Sequence, residues 1–138
     1  MKQTLVQPYI FFGGRCEEAL EFYKSSVGAV VEFVMRYNEG PPQPPGRLPP
    51  GFEGKVMHTS FRIGESVLMG SDGCEVGQAY SGFTLSLTFP TEADARRAFS
   101  ALSDGGTVSM ALEKTFWSPC FGMLTDRYGI AWMVTVAS

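Results

Sequence analysis

The sequence has one histidine, three cysteines and no apolar run approaching the ~20 residues that a membrane-spanning helix needs. A single imidazole excludes a multi-histidine zinc site within one chain. The cysteines, Cys16, Cys74 and Cys120, cannot all pair with one another and show no CxxC spacing, so they read as reduced thiols in a reducing compartment. Cys120, after Pro119 in a ring-rich stretch, is the one placed to line a pocket, but no cation stands beside it to activate it. Basic residues are also sparse: the eleven lysines and arginines are scattered and the formal net charge is −3. Without a basic stripe to follow a phosphate backbone, nucleic acid is excluded as an expected partner. Motifs for phosphate, nucleotide, acyl-transfer and zinc-protease chemistry (P-loop, GxGxxG, GxSxG, HExxH) are missing. Gly13-Gly14 is too short a signal for a dinucleotide site. Met1-Lys2-Gln3-Thr4 leads into a strand pattern without a leader, so a cytoplasmic location is expected by default.

What is present is one domain's worth of chain, 138 residues with 44% hydrophobic content. Leu5 to Phe12 is a β-rich apolar run closed by Gly13-Gly14. From Arg15 to Val27 the period changes: Cys16, Ala19, Leu20, Tyr23 and Val27 share one helical face, and Gly28 sits where a helix stops. Val30 to Tyr37 is a second strand. Asn38 to Gly54 carries six prolines and four glycines, which deny it regular structure. It is expected to be a flap over a cleft. Val56–Ile63 and Ser66–Ser71 form a hairpin through Gly64-Glu65. After a link at 73–81 the pattern restarts. Phe83 to Phe89 is a strand. A helix capped by Thr91 runs to about Ser103 and stops at Gly105-Gly106. Strands follow near Val108, at Met123–Asp126 and at Ile130–Val136.

An offset of 77 residues lays Phe22 on Phe99, Ile10 on Leu87 and Gly28 on Gly105 without gaps. Each half therefore reads βαβββ, with module one at about 4–72 and module two at about 82–137 of a single domain. The expected class is α+β, with each helix on the outer face of its sheet and two curved mixed sheets around a cleft.

Strand parity then sorts the side chains. Phe83, Leu85, Leu87 and Phe89 should pack on the second helix, and Pro8, Ile10 and Phe12 on the first. In the third strand Met57, Thr59, Phe61 and Ile63 form the helix-facing set. In the last strand that set is Ile130, Trp132, Val134 and Val136. The opposite faces carry Gln7, Tyr9, Phe11, His58, Ser60, Arg62, Met69, Thr84, Ser86 and Met133, a mixture suited to a small organic ligand with a few polar handles. Phe52, Tyr80 and Trp117 are ring candidates near the expected cavity mouth, and Phe116 lies with Trp117 in a ring-rich loop that reads as an aromatic wall or lid. His58 is the candidate general acid/base, because only its unperturbed pKa lies near neutrality, and Arg62 is the second catalytic candidate.

Several stretches resemble a known family. Pro8-Tyr9-Ile10-Phe11-Phe12-Gly13-Gly14, Ala19-Leu20-Glu21-Phe22-Tyr23, Tyr80-Ser81-Gly82-Phe83, Thr115-Phe116-Trp117, Phe121-Gly122, Asp126, Tyr128-Gly129 and Trp132 look like the PhnB-like branch of the vicinal-oxygen-chelate superfamily. That superfamily includes glyoxalase I, extradiol dioxygenases, fosfomycin-resistance enzymes and bleomycin-binding proteins. The resemblance implies a glyoxalase/bleomycin-resistance-like fold of paired βαβββ modules and a symmetric homodimer. It also implies metal-ligand positions near Gln7, at Met69, at Gly82 and at Met133. Thioethers and a glycine are poor donors for a divalent ion, so no cofactor is expected and a metal is disfavoured. Some members of this branch carry a demethylubiquinone methyltransferase label; this chain shows no nucleotide-binding αβ unit for a methyl donor.

Three readings follow: a metal-free ligand-binding protein; an enzyme using His58 as acid/base, with Arg62 or Gln7 orienting an anionic or carbonyl substrate; and a metalloenzyme with unusual ligands, such as His58 with Asp72 or Glu113. The expected partner is a small molecule, without nucleic acid or membrane.

Overall fold

The computed structural model describes residues 3–73, 75–77 and 79–137. The chain divides into two compact units, 1–78 and 79–138, and the boundary lies inside the linking segment. Cys74 lies outside the described residues.

The first unit holds β1 (Tyr9–Phe11), α1 (Cys16–Val27), β2 (Val30–Arg36), a 3₁₀ turn at Tyr37–Glu39, β3 (Val56–Ile63) and β4 (Ser66–Ser71). Its sheet runs β1-β4-β3-β2, with β1 parallel to β4 and the other pairs antiparallel. The helix lies where the periodicity puts it, burying Cys16, Ala19, Leu20 and Tyr23. Tyr23 is fully buried, its ring 6.3 Å from that of Phe61 and nearly parallel to it. Burial of a side chain of this size contributes roughly 1.5–3 kcal/mol. At the far end Gly28 takes a left-handed conformation and its N–H caps the Tyr23 carbonyl, which needs a residue without a Cβ.

The start of α1 is capped from a distant element. Asp72, just past β4 and buried, accepts the Cys16 N–H on one carboxylate oxygen and the Val56 N–H on the other, both at 2.8 Å. A negative charge here also meets the positive end of the helix dipole. Burial, then the nearby Asp72 and Glu17 carboxylates, push the Cys16 thiol well above its ordinary pKa. Glu17, by contrast, is held below the usual carboxylate range, chiefly by its hydrogen bond from Arg36.

The second unit repeats the order: β5 (Leu85–Phe89), α2 (Glu92–Ser103), β6 (Thr107–Glu113), β7 (Phe121–Thr125) and β8 (Ala131–Val136), in a sheet ordered β5-β8-β7-β6. The Thr91 side chain accepts the Asp94 N–H at the head of α2, as expected of a cap. Ala95, Ala98, Phe99 and Leu102 are buried on this helix, and Ile130, Trp132, Val134 and Val136 are buried in or beside β8. The turn before β8 is built on buried Asp126. One of its oxygens accepts the N–H groups of Tyr128 and Ile130, and the other accepts the Trp132 indole N–H at 2.9 Å.

Several boundaries differ from the sequence expectation, among them the start of β7 at Phe121 rather than Met123. The first strand begins at Tyr9 rather than Leu5: Leu5 and Val6 are exposed, and Pro8, which offers no N–H, cannot extend the ladder inward. The strand expected from Phe83 begins at Leu85. The short strand near Val108 extends through Glu113, with two register shifts that blur its alternation.

Candidate functional site

In the first unit one sheet face packs on α1 and the other carries no helix. Cross-strand register aligns the helix-free face: Tyr9 opposes Met69, Met69 opposes Ser60, and Ser60 opposes Phe33. Paired residues in a sheet project to the same side. Tyr9, Phe11, His58, Ser60, Arg62 and Met69 of the expected inward set thus share one face, while Gln7 lies before β1. The Tyr9 hydroxyl lies 3.0 Å from His58 Nδ1, and the two ring centroids are 5.5 Å apart. Phe11 stands 5.1 Å from Tyr9 on one side, and Phe33 stands 6.1 Å from His58 on the other. His58 is therefore held among rings on the sheet face opposite the helix.

Arg62 and Gln7 are already engaged. Arg62 donates to the Gly64 carbonyl at 3.0 Å and lies 3.5 Å from Glu32. Four residues along one strand from His58, it is set back by roughly 13 Å at strand rise. The Gln7 amide reaches the Val67 carbonyl at 3.4 Å.

Parity assignments are corrected at three positions: Pro8 and Phe83, expected to pack on the helices, are exposed, and the third is Met57. Met57 is not helix-facing. The β2–β3 register jumps between Met35/His58 and Arg36/Val56, so Met57 is the extra residue of a bulge. A bulge re-aims the side chains beyond it. Val56 is buried, and Met57 turns to the helix-free side. There it lines a cavity of about 410 Å³ with Tyr9, Phe11, Tyr37, Ser71 and Gly73. Gln43 and Arg47 from the proline-rich segment complete the lining, together with Glu75. Sequence reasoning missed most of this wall. Tyr37 read as the end of a strand, whereas its hydroxyl donates to the Gly73 carbonyl at 2.8 Å. A bulge leaves no mark on alternation, and loop residues have no parity to read.

In the second unit the helix-free face carries Ser86 opposite Met133, Met133 opposite Met123, and Met123 opposite Met110. With Met35 opposite His58, every described methionine falls on a helix-free face. Such polarizable, unbranched side chains adapt to irregular apolar shapes. Phe116 and Trp117 are exposed and meet edge to face, and Trp117 meets Phe121 in the same way. Their turn is held by Thr115, whose hydroxyl accepts the Trp117 and Ser118 N–H groups. Tyr80 lies beside Gly129, Thr84 is half-buried before β5, and Cys120 is fully buried.

The positions that the resemblance offers to a metal do not suit one. Two carry thioethers on helix-free faces, Gly82 has no side chain, and the Gln7 amide is bonded to backbone. Hard or borderline divalent ions prefer imidazole or carboxylate. Of the unusual candidates, Asp72 has both oxygens committed to backbone amides. Among the described residues no three His, Cys, Asp or Glu side chains gather closely enough to hold an ion. No helix among them is long and apolar enough to cross a membrane.

Comparison with known proteins adds the following. Residues 4–135 match the family model described as 3-demethylubiquinone-9 3-methyltransferase. The chain is 33% identical to protein YjdN of Escherichia coli (strain K12) over 138 residues, spanning 95% of this chain and 94% of that one. The crystal structure of protein PA1353 from Pseudomonas aeruginosa is similar at TM-score 0.84 and 35% identity, covering 97% and 98% of the two chains. The PhnB protein from Bacillus cereus is similar at TM-score 0.78 and 29% identity, covering 97% and 100%.

Proposed function

We propose that this chain, which belongs to the PhnB-like family of the vicinal-oxygen-chelate superfamily, binds a small organic molecule on the helix-free face of its first unit, without a metal. The observation that carries this reading is the cavity of about 410 Å³ between Tyr9, Phe11, Tyr37 and Met57. Its size and its mixture of rings, a thioether and a few polar groups are those of a small-molecule site. The family's descriptive name denotes methyl transfer, but the described residues form two four-stranded mixed sheets, not the parallel doubly wound sheet whose strand-end crevice holds a nucleotide-bearing donor. Methyl transfer is therefore not part of this proposal.

A second reading is favoured by one contact. The Tyr9 oxygen against His58 Nδ1 fixes the ring; in this reading Nδ1–H donates to that oxygen and leaves the Nε2 lone pair to exchange a proton with a bound substrate. In that reading His58 is the acid/base and Tyr9 its positioning residue. Arg62 is drawn away by Glu32.

A thermal-shift screen of neutral and charged metabolites tests the binding reading, since a ligand of the native state alone raises the melting temperature. At least one compound should stabilise the protein, and Phe11→Ala should remove the response. A screen without hits, or hits indifferent to Phe11→Ala, would overturn it. Elemental analysis of protein purified without chelator should find less than stoichiometric divalent metal. The proposal extends to a cytoplasmic homodimer, supported by the sheet edges and exposed apolar side chains such as Val6 and Phe116. Light scattering at high micromolar concentration checks the assembly.

A further inference from the structure

Six of the seven arginines pair with a carboxylate. Arg47 is the exception among the described residues, and it is the arginine that lines the first-unit cavity. An unpaired guanidinium at the rim of a ring-lined cavity presents a planar fork of donors that fits a carboxylate in two parallel hydrogen bonds. The same cavity is lined by the Tyr9, Phe11 and Tyr37 rings and the Met57 thioether. Edge-to-face and sulfur–aromatic contacts favour a flat, unsaturated body there.

From this juxtaposition we propose that the cavity takes a compact aromatic monocarboxylate, its ring against Tyr9, Phe11 and Met57 and its carboxylate on Arg47. The proposal rests on the binding reading above and names its ligand class. Glu75 also lines the cavity and would repel an anion. Unlike Arg47 it is one of several exposed glutamates without an ion pair among the described residues, Glu53 and Glu65 being others, so its presence does not argue for a cationic ligand in the same way. Arg47 comes from the proline-rich segment and Glu75 from the link beyond β4, so each can be changed without touching a strand or a helix.

The test uses protein labelled with ¹³C at the methionine methyl groups. Met57 reports on the cavity, and loss of its signal in Met57→Leu fixes the assignment. Phenylacetate and its neutral isostere phenylacetamide are titrated in parallel. Phenylacetate should shift the Met57 signal with at least tenfold tighter affinity than the amide. Arg47→Gln should abolish that preference while the amide affinity stays the same, and Glu75→Gln should tighten phenylacetate. Equal affinities for the two probes, or a preference that survives Arg47→Gln, would overturn the assignment of Arg47 and leave cavity binding standing. Silence at Met57 with both probes would overturn the aromatic-carboxylate class, whereas the metabolite screen judges the binding reading on its own.

Discussion

The Tyr9 hydroxyl and His58 Nδ1 are joined across the sheet at 3.0 Å, from two strands that are not neighbours. Tyr9 is on β1 and His58 on β3, with β4 between them. With the phenol as donor, as the binding reading has it, the neutral ring should be held with its proton on Nε2, whereas acid/base use of Nε2 requires the proton on Nδ1. The chain has one histidine, so its ¹⁵N imidazole spectrum is free of overlap. The neutral ring should show mainly the Nε2–H tautomer, and Tyr9→Phe should shift the population toward the Nδ1–H form. A spectrum unchanged by the substitution would mean that the hydroxyl does not set the tautomer.

Asp72→Asn tests the remote cap of α1. The amide can accept one of the two backbone N–H groups but presents its own NH₂ to the other. Loss of a hydrogen bond to a buried charge costs about 1.5–3 kcal/mol. Urea unfolding should show a lower midpoint at unchanged slope, with the far-UV spectrum of the native state retained.

Cys16 and Cys120 are fully buried, and burial holds the Cys16 thiol in its unreactive protonated form. Brief treatment of native protein with iodoacetamide, followed by peptide mapping, should leave both unmodified, and both should label fully in denaturant. Rapid native labelling of Cys16 would show that the α1–Asp72 junction opens readily.

The acid side of the stability profile should carry a small contribution from Glu17. Its folded pKa is depressed, so its stabilisation is present above the unfolded value and is lost as pH falls through the folded one. The Glu17 side chain is largely exposed, which screens the effect. The stability difference between wild type and Glu17→Gln should be modest at neutral pH and vanish in acid. A difference that grows in acid would have the wrong sign.

Gly106 marks a close approach rather than a flexible turn. A Cβ there would run into the Thr125 carbonyl oxygen and crowd the Asp126 backbone. Gly106→Ala should therefore destabilise by about 1–3 kcal/mol, the usual range for overpacking. Gly54→Ala, where a Cβ meets nothing, should be close to neutral in the same calorimetric assay.

The duplicated βαβββ order, both helices and the β3–β4 hairpin were legible because each element carries its own period: Cys16, Ala19 and Tyr23 at helical spacing, and Thr59, Phe61 and Ile63 in alternation. The side of the sheet occupied by His58 followed from the same alternation. Met57 did not, because an extra residue in one strand changes phase without changing composition. Arg47 and Gln43 were not legible either, since their place depends on the path of a proline-rich segment that no period describes. In the stretch from Thr115 to Gly129, which carries the resemblance most specifically, Asp126 proves to be scaffolding: its carboxylate organises a turn and anchors the Trp132 indole.

Asp72 has a consequence for how this chain could change. By holding the N–H groups of Cys16 and Val56 on one carboxylate, it clamps together the two ends of a forty-residue excursion, like the knot of a lasso. The helix start and the strand start are fixed at that knot, whatever length of chain hangs between β2 and β3. Loop closure becomes only slowly costlier with length. The proline-rich segment is thus a permissive place for insertion, deletion or grafting, and because it also delivers Arg47 to the cavity, new selectivities could be sampled there while the scaffold keeps its shape.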